Sequence, residues 1–61
     1  MVPAHIHVKA GEDEAKFWIQ PVSLGANHGF RVRVLNELEY LVREHEQTFV
    51  EAWNEYFGDQ F

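Results

Sequence analysis

The stretch His5-Ile6-His7-Val8-Lys9-Ala10-Gly11-Glu12-Asp13-Glu14-Ala15-Lys16-Phe17-Trp18-Ile19-Gln20 decides the fold. Residues 5–10 and 15–20 each alternate apolar and polar side chains, the period-2 pattern of half-buried strands. Gly11 to Glu14 lies between them as turn material. A tip at Glu12-Asp13 would set Ala10 against Ala15, Lys9 against Lys16, Val8 against Phe17, His7 against Trp18 and Ile6 against Ile19. In that register Ile6, Val8, Ala10, Ala15, Phe17 and Ile19 share the core side. His5, His7, Lys9, Lys16, Trp18 and Gln20 share the other, because strand side chains alternate between faces.

Downstream, Pro21 cannot donate to a ladder and ends the second strand, and Ser23–Gly29 reads as a loop with Gly25, Asn27 and Gly29 as its turn residues. No Gly or Pro occurs from Phe30 to Phe57. Leu35, Leu38, Val42, Phe49, Ala52 and Tyr56 fall on one helical stripe, which Leu41 and Trp53 widen. The expected helix runs from about Arg31 to Phe57, with Gly58 as its stop. A rival start exists, because Phe30–Val34 also alternates like a strand and Asn36-x-x-Glu39 has capping-box spacing.

Length and charge bound what such a chain can be. Sixty-one residues make one small domain, 1–61, with a modest core, and the absence of cysteine closes the disulfide and thiolate-zinc routes to stability. A hydrophobic fraction of 46% is too rich for a disordered chain. The net charge of −5 argues against general binding to nucleic acid backbones, so RNA is a partner that the charge does not support. No apolar run approaches membrane-span length and the start lacks a signal-peptide pattern, so a cytoplasmic protein without membrane contact is expected.

A helix over 31–57 would be roughly 40 Å long, whereas a six-residue strand spans about 20 Å. The hairpin would not cover it. Positions 35, 38, 42, 45, 49, 52 and 56 also step by three and four in turn, as a helix–helix seam does. The expectation is therefore an α+β homodimer: an N-terminal antiparallel β-hairpin (about 5–10 and 15–20) packed on a long C-terminal helix (about 31–57). Its interface would comprise Leu38, Val42, His45, Phe49, Trp53, Tyr56 and Phe57, with Phe61 adding to the aromatic cluster. His45, one turn from Leu41 and Phe49, reads as a structural histidine that would face its own copy or Glu46 across the dimer.

Pro3-Ala4-His5-Ile6-His7-Val8, Glu14-Ala15-Lys16-Phe17-Trp18 followed by Pro21-Val22, Gly29-Phe30, and Glu51-Ala52-Trp53-Asn54-Glu55-Tyr56-Phe57-Gly58 form an ordered series of motifs. This series resembles the small bacterial family catalogued as Domain of Unknown Function 4160, over nearly the whole chain. The resemblance implies a gene context like a toxin–antitoxin pair, with a cognate small protein partner, and it favours the helix start near Arg31. It also implies a strand or strand pair before the Pro-x-His segment, so the sheet is expected to be incomplete at that side. Arg31 and Val34 stand where the family tends to have Ser and Glu in a capping box.

Two chemistries are written on the hairpin's outer face. His5 and His7 point the same way, as a His-x-His metal pair must. A third ligand would have to come from His28, from Glu12 or Glu14, or from His45 of a second copy, and Lys9 beside the pair opposes a cation. No cofactor or metal is therefore expected. In the expected register Lys9, Lys16 and Trp18 would instead hold an anion. His5, His7 and Lys9 would then supply the acid, base and cation of a metal-independent ribonuclease or phosphodiesterase. Arg31 and Arg33 would extend the positive surface. Against both stands a plain solvated strand face, with lysines that discourage edge pairing. Nothing resembles a nucleotide-binding loop or a serine or cysteine nucleophile site. A protein-interaction component is the leading expectation, and whether the chain is an enzyme stays open.

Overall fold

The structure is a computed structural model and describes residues 3–57. Gly58 and Phe61, assigned above as helix stop and cluster member, lie outside the described residues. The chain is α+β, with strands β1 (His5–Ala10), β2 (Asp13–Trp18) and β3 (Ser23–His28), then helices α1 (Val32–Glu44) and α2 (Glu46–Phe57). The strands form one antiparallel sheet in the order β1-β2-β3.

The hairpin forms as the alternation requires, in a different register. Gly11 takes φ +62° and Glu12 does not share its sign, so the tip is Gly11-Glu12, with glycine at the first of two loop positions as in a type II′ turn. Moving the tip by one residue shifts every pair by two. His7 therefore faces Lys16, His5 faces Trp18 and Lys9 faces Glu14. The expected Lys9–Lys16 pairing does not form, because opposite charges now stand across the strands where like charges would repel. A shift of two preserves the faces. Ile6 and Val8 pack on the core opposite Phe17 and Ala15, which are 0% and 1% exposed. Ala10, expected inside, is exposed at the hairpin end.

Ser23–His28, expected as a loop, is the third strand. It lacks apolar alternation, and all six residues are exposed. Its ladder to β2 is what makes it a strand. The ladder slips at Gly25, with Ala26 opposite Lys16 but Leu24 opposite Phe17. A Cβ at Gly25 would stand 2.9 Å from Trp18 Nε1, so glycine is what lets the indole lie against this strand. At the end of β3 the Asn27 side chain closes the turn into α1: its Oδ1 accepts from Phe30 N–H at 3.1 Å and its Nδ2 donates to the Phe30 carbonyl at 3.0 Å.

The expected single helix is two. α1 begins one residue after Arg31, close to the favoured start, and the rival strand over Phe30–Val34 does not form. No side chain caps it, consistent with the loss of a capping box at Arg31. The interruption falls at His45, whose N–H is shared between the carbonyls of Leu41 (3.1 Å) and Val42 (3.2 Å). Neither Gly nor Pro marks it. Thirteen residues make α1 about 20 Å long, matching the strands beneath it. The interruption is a single residue, and Phe49 N–H still bonds to the His45 carbonyl at 3.0 Å across it.

Ala15, Phe17, Val22 and Val42 form the buried cluster, with Ile6, Val8, Phe30, Leu35, Leu38 and Phe49 packed around it. Arg43 ties α1 to the turn after β2, since Nη2 donates to the Val22 carbonyl at 3.3 Å while the guanidinium pairs with Glu39 at 2.8 Å. Among the described residues no helix is long and apolar enough to cross a membrane.

Candidate functional site

Alternation in β1 and β2 puts His5, His7, Lys9, Glu14, Lys16 and Trp18 on the sheet face opposite the buried cluster. These side chains divide into two groups. His7, Glu14 and Lys16 line a shallow cleft of about 290 Å³ together with Ala26 and His28 of β3. His7 Nδ1 lies 3.6 Å from Glu14 Oε2, and Lys16 Nζ sits 4.2 Å from the centre of the Trp18 ring. The pairing of His7 with Glu14 is about half exposed on both sides, so it holds little energy.

His5 belongs to the second group. Its Nδ1 is 2.9 Å from the Pro3 carbonyl oxygen, and its ring lies 5.8 Å from Trp18 and 5.0 Å from Trp53 of α2. Trp53 in turn meets Phe57 at 4.4 Å, and Phe57 meets Tyr56 at 5.6 Å. A continuous run of rings therefore crosses from β2 over the start of β1 to the end of α2.

The structure brings together only part of each expected set. His5 and His7 do adjoin, with ring centres 5.4 Å apart. Lys9 stands opposite Glu14, away from His5, so His5, His7 and Lys9 do not line one cleft. The Lys9–Lys16–Trp18 anion set likewise loses Lys9. His28 of β3 joins the cleft instead. The loop reading of residues 23–29 left its position open, and what places it is the β2–β3 ladder, in which His28 stands opposite Glu14. Among the described residues no three His, Asp or Glu side chains are grouped to hold a metal.

The expected helical interface also divides. Val42 is 3% exposed, and Leu38 and Phe49 pack on the buried cluster, so these three serve the chain's own core. His45 is exposed at the interruption rather than set within an apolar stripe. Trp53 is half-buried against His5, while Tyr56 and Phe57 remain open at 81% and 45% exposure. The stripe pointed to no outward role for Tyr40, which with Leu41, Asn36 and Glu37 lines a second, open hollow on α1.

Comparison with curated proteins gives no match, and comparison with solved structures gives none. The family model described as Domain of unknown function (DUF4160) matches residues 1–54, nearly the whole chain, and the protein belongs to that family.

Proposed function

We propose that this protein is a small interaction domain, one component of a two-protein, toxin–antitoxin-like pair. One observation supports it above others: among the described residues six hydrophobic residues are buried, while six large ones (Leu24, Val32, Tyr40, Leu41, Tyr56 and Phe57) are exposed. Scattered apolar residues need no explanation. Tyr56 and Phe57, however, continue the ring contacts of Trp53 and form a cluster of the residue types that anchor interfaces. The homodimer rested on a helix longer than its cover. That argument concerns the whole helical segment, of which α1 alone matches the strands in length, and for the open rings at the end of α2 we favour a distinct partner. Affinity purification of the tagged chain from its own cells tests it. A protein recovered in stoichiometric amount with the native chain, and lost with Tyr56→Ala/Phe57→Ala, is the expected result. A native chain recovered alone contradicts it.

The enzymatic alternative rests on the cleft, where His7, Lys16 and His28 are basic groups around a volume that suits a phosphate. Glu14 beside His7 works against an anion there. Cleavage of RNA by the purified chain, abolished by His7→Ala, would establish this reading, and an inert native chain would remove it.

A further inference from the structure

His45 is the single residue between two helices, and its surroundings are those of a hinge. It takes φ −115° and ψ +21°, where a helix needs about −63° and −42°. α1 ends at Glu44 and α2 begins at Glu46. Among the described residues the chain lacks the three bonds that a continuous helix draws from Glu46, Gln47 and Thr48 N–H to the carbonyls of Val42, Arg43 and Glu44. Those groups are left to water, as at any pair of helix ends. No glycine or proline imposes the bend, since none occurs from Phe30 to Phe57, and the His45 side chain is exposed. Locally the sequence is that of one straight helix, and the bend is what brings α2 onto the rest of the fold.

The docking that keeps the bend is slight. Among the described residues α2 buries only Val50, at 9%, adds Phe49 beside the buried cluster and sets the Trp53 ring 5.0 Å from His5. Straightening at His45 would restore the three backbone bonds and carry Trp53 away from His5. The molecule would then present a free α2 together with the surface it had left. The surface shown to fit that helix is the chain's own, and a second copy carries it. If two copies exchange their α2 segments, each contact of the closed chain is made again between copies, and each copy keeps a straight helix. Leu35, Leu38, Val42, Phe49 and Trp53 follow one another in steps of three, four and seven, so their line crosses His45 without a change of phase. Exchange of an identical element is a low-cost route to a dimer.

We propose that α2 exchanges between two copies of this chain through a hinge at His45, α1 and α2 becoming one helix, so that Trp53 of each copy packs on His5 of the other. This goes beyond the interaction reading and does not use its rings. The exchanged helix meets the same surroundings as in the closed chain, which leaves Tyr56 and Phe57 open in both forms. The full chain is refolded from urea at millimolar and at micromolar concentration, and light scattering after size exclusion reads its mass. An equal mixture of isotope-labelled and unlabelled chains, refolded together, lets filtered NOE spectra report contacts between copies alone. At micromolar concentration the 7.2 kDa monomer is expected. At millimolar concentration a species of twice that mass should appear, with NOEs from the His5 ring of one copy to the Trp53 ring of the other. His45→Ala, a better helix former, should raise the association constant by about fivefold or more, because two hinges straighten in each dimer. Two glycines inserted after His45 should hold the chain monomeric at both concentrations with its circular dichroism unchanged, since the straight helix is then disfavoured. The inference is overturned if the native chain stays monomeric at millimolar concentration or if its dimer lacks those NOEs. It is equally overturned if neither hinge variant moves the association constant. Recovery of a distinct partner through Tyr56 and Phe57 bears on the interaction reading alone.

Discussion

The central strand and the last helix of this protein treat their apolar residues in opposite ways. β2 and the residue after it bury Ala15, Phe17 and Ile19 to 1% exposure or less. α2 has twice as many residues as β2, yet it buries only Val50, at 9%, and leaves Tyr56 and Phe57 in solvent. The difference separates two jobs. The sheet and α1 hold most of the buried residues, and on the proposed reading the exposed end of α2 is the surface that a partner takes.

Substitutions break that comparison most sharply at its buried end. Phe17→Ala should cost about 3–5 kcal/mol, because it removes the largest fully buried side chain and leaves a cavity beneath α1. A chain of this length has only a few kcal/mol to lose, so circular dichroism should show it largely unfolded at room temperature. Gly25→Ala should come next, at about 1–3 kcal/mol, since the new Cβ would displace the Trp18 indole. The same variant should alter Trp18 fluorescence by disturbing its contact with Lys16. Arg43→Ala should cost about 1 kcal/mol in urea unfolding, through the lost bond to the Val22 carbonyl. Lys9→Ala should stay within about 0.5 kcal/mol of the native chain, since Lys9 is exposed and stands opposite Glu14 in the ladder, whose carboxylate pairs with His7.

The fold was legible in the sequence where burial imposes a period. Ile6, Val8, Ala15, Phe17 and Ile19 were placed inside, and the slip in register left them there because it was a slip of two. Pairings across the outer face had no such protection, and Lys9 changed partner when the tip moved from Glu12-Asp13 to Gly11-Glu12. β3 was not legible because its residues bury nothing, and what defines it is the backbone of β2. The interruption at His45 was not legible because no residue there breaks a helix. It falls where α1 has reached the length of the strands, and nothing local in the sequence marks that point. The site divides along the same line: His5, His7, Lys16 and Trp18 were placed on the correct face, while the contribution of His28 depended on an unseen strand. Trp53, Tyr56 and Phe57 were marked as interface by type, and what the fold adds is that Trp53 leans on His5 while Tyr56 and Phe57 stay open.

The separation of cohesion from recognition rests on those two rings being dispensable to the fold. Equilibrium urea unfolding of Tyr56→Ala/Phe57→Ala tests it directly, because among the described residues the ring contact that it removes from the rest of the fold is that of Phe57 with Trp53 at 4.4 Å. The expected loss is about 1 kcal/mol with an unchanged m value. A loss of about 3 kcal/mol or more, comparable with Phe17→Ala, would mean that the end of α2 belongs to the core and would contradict the account.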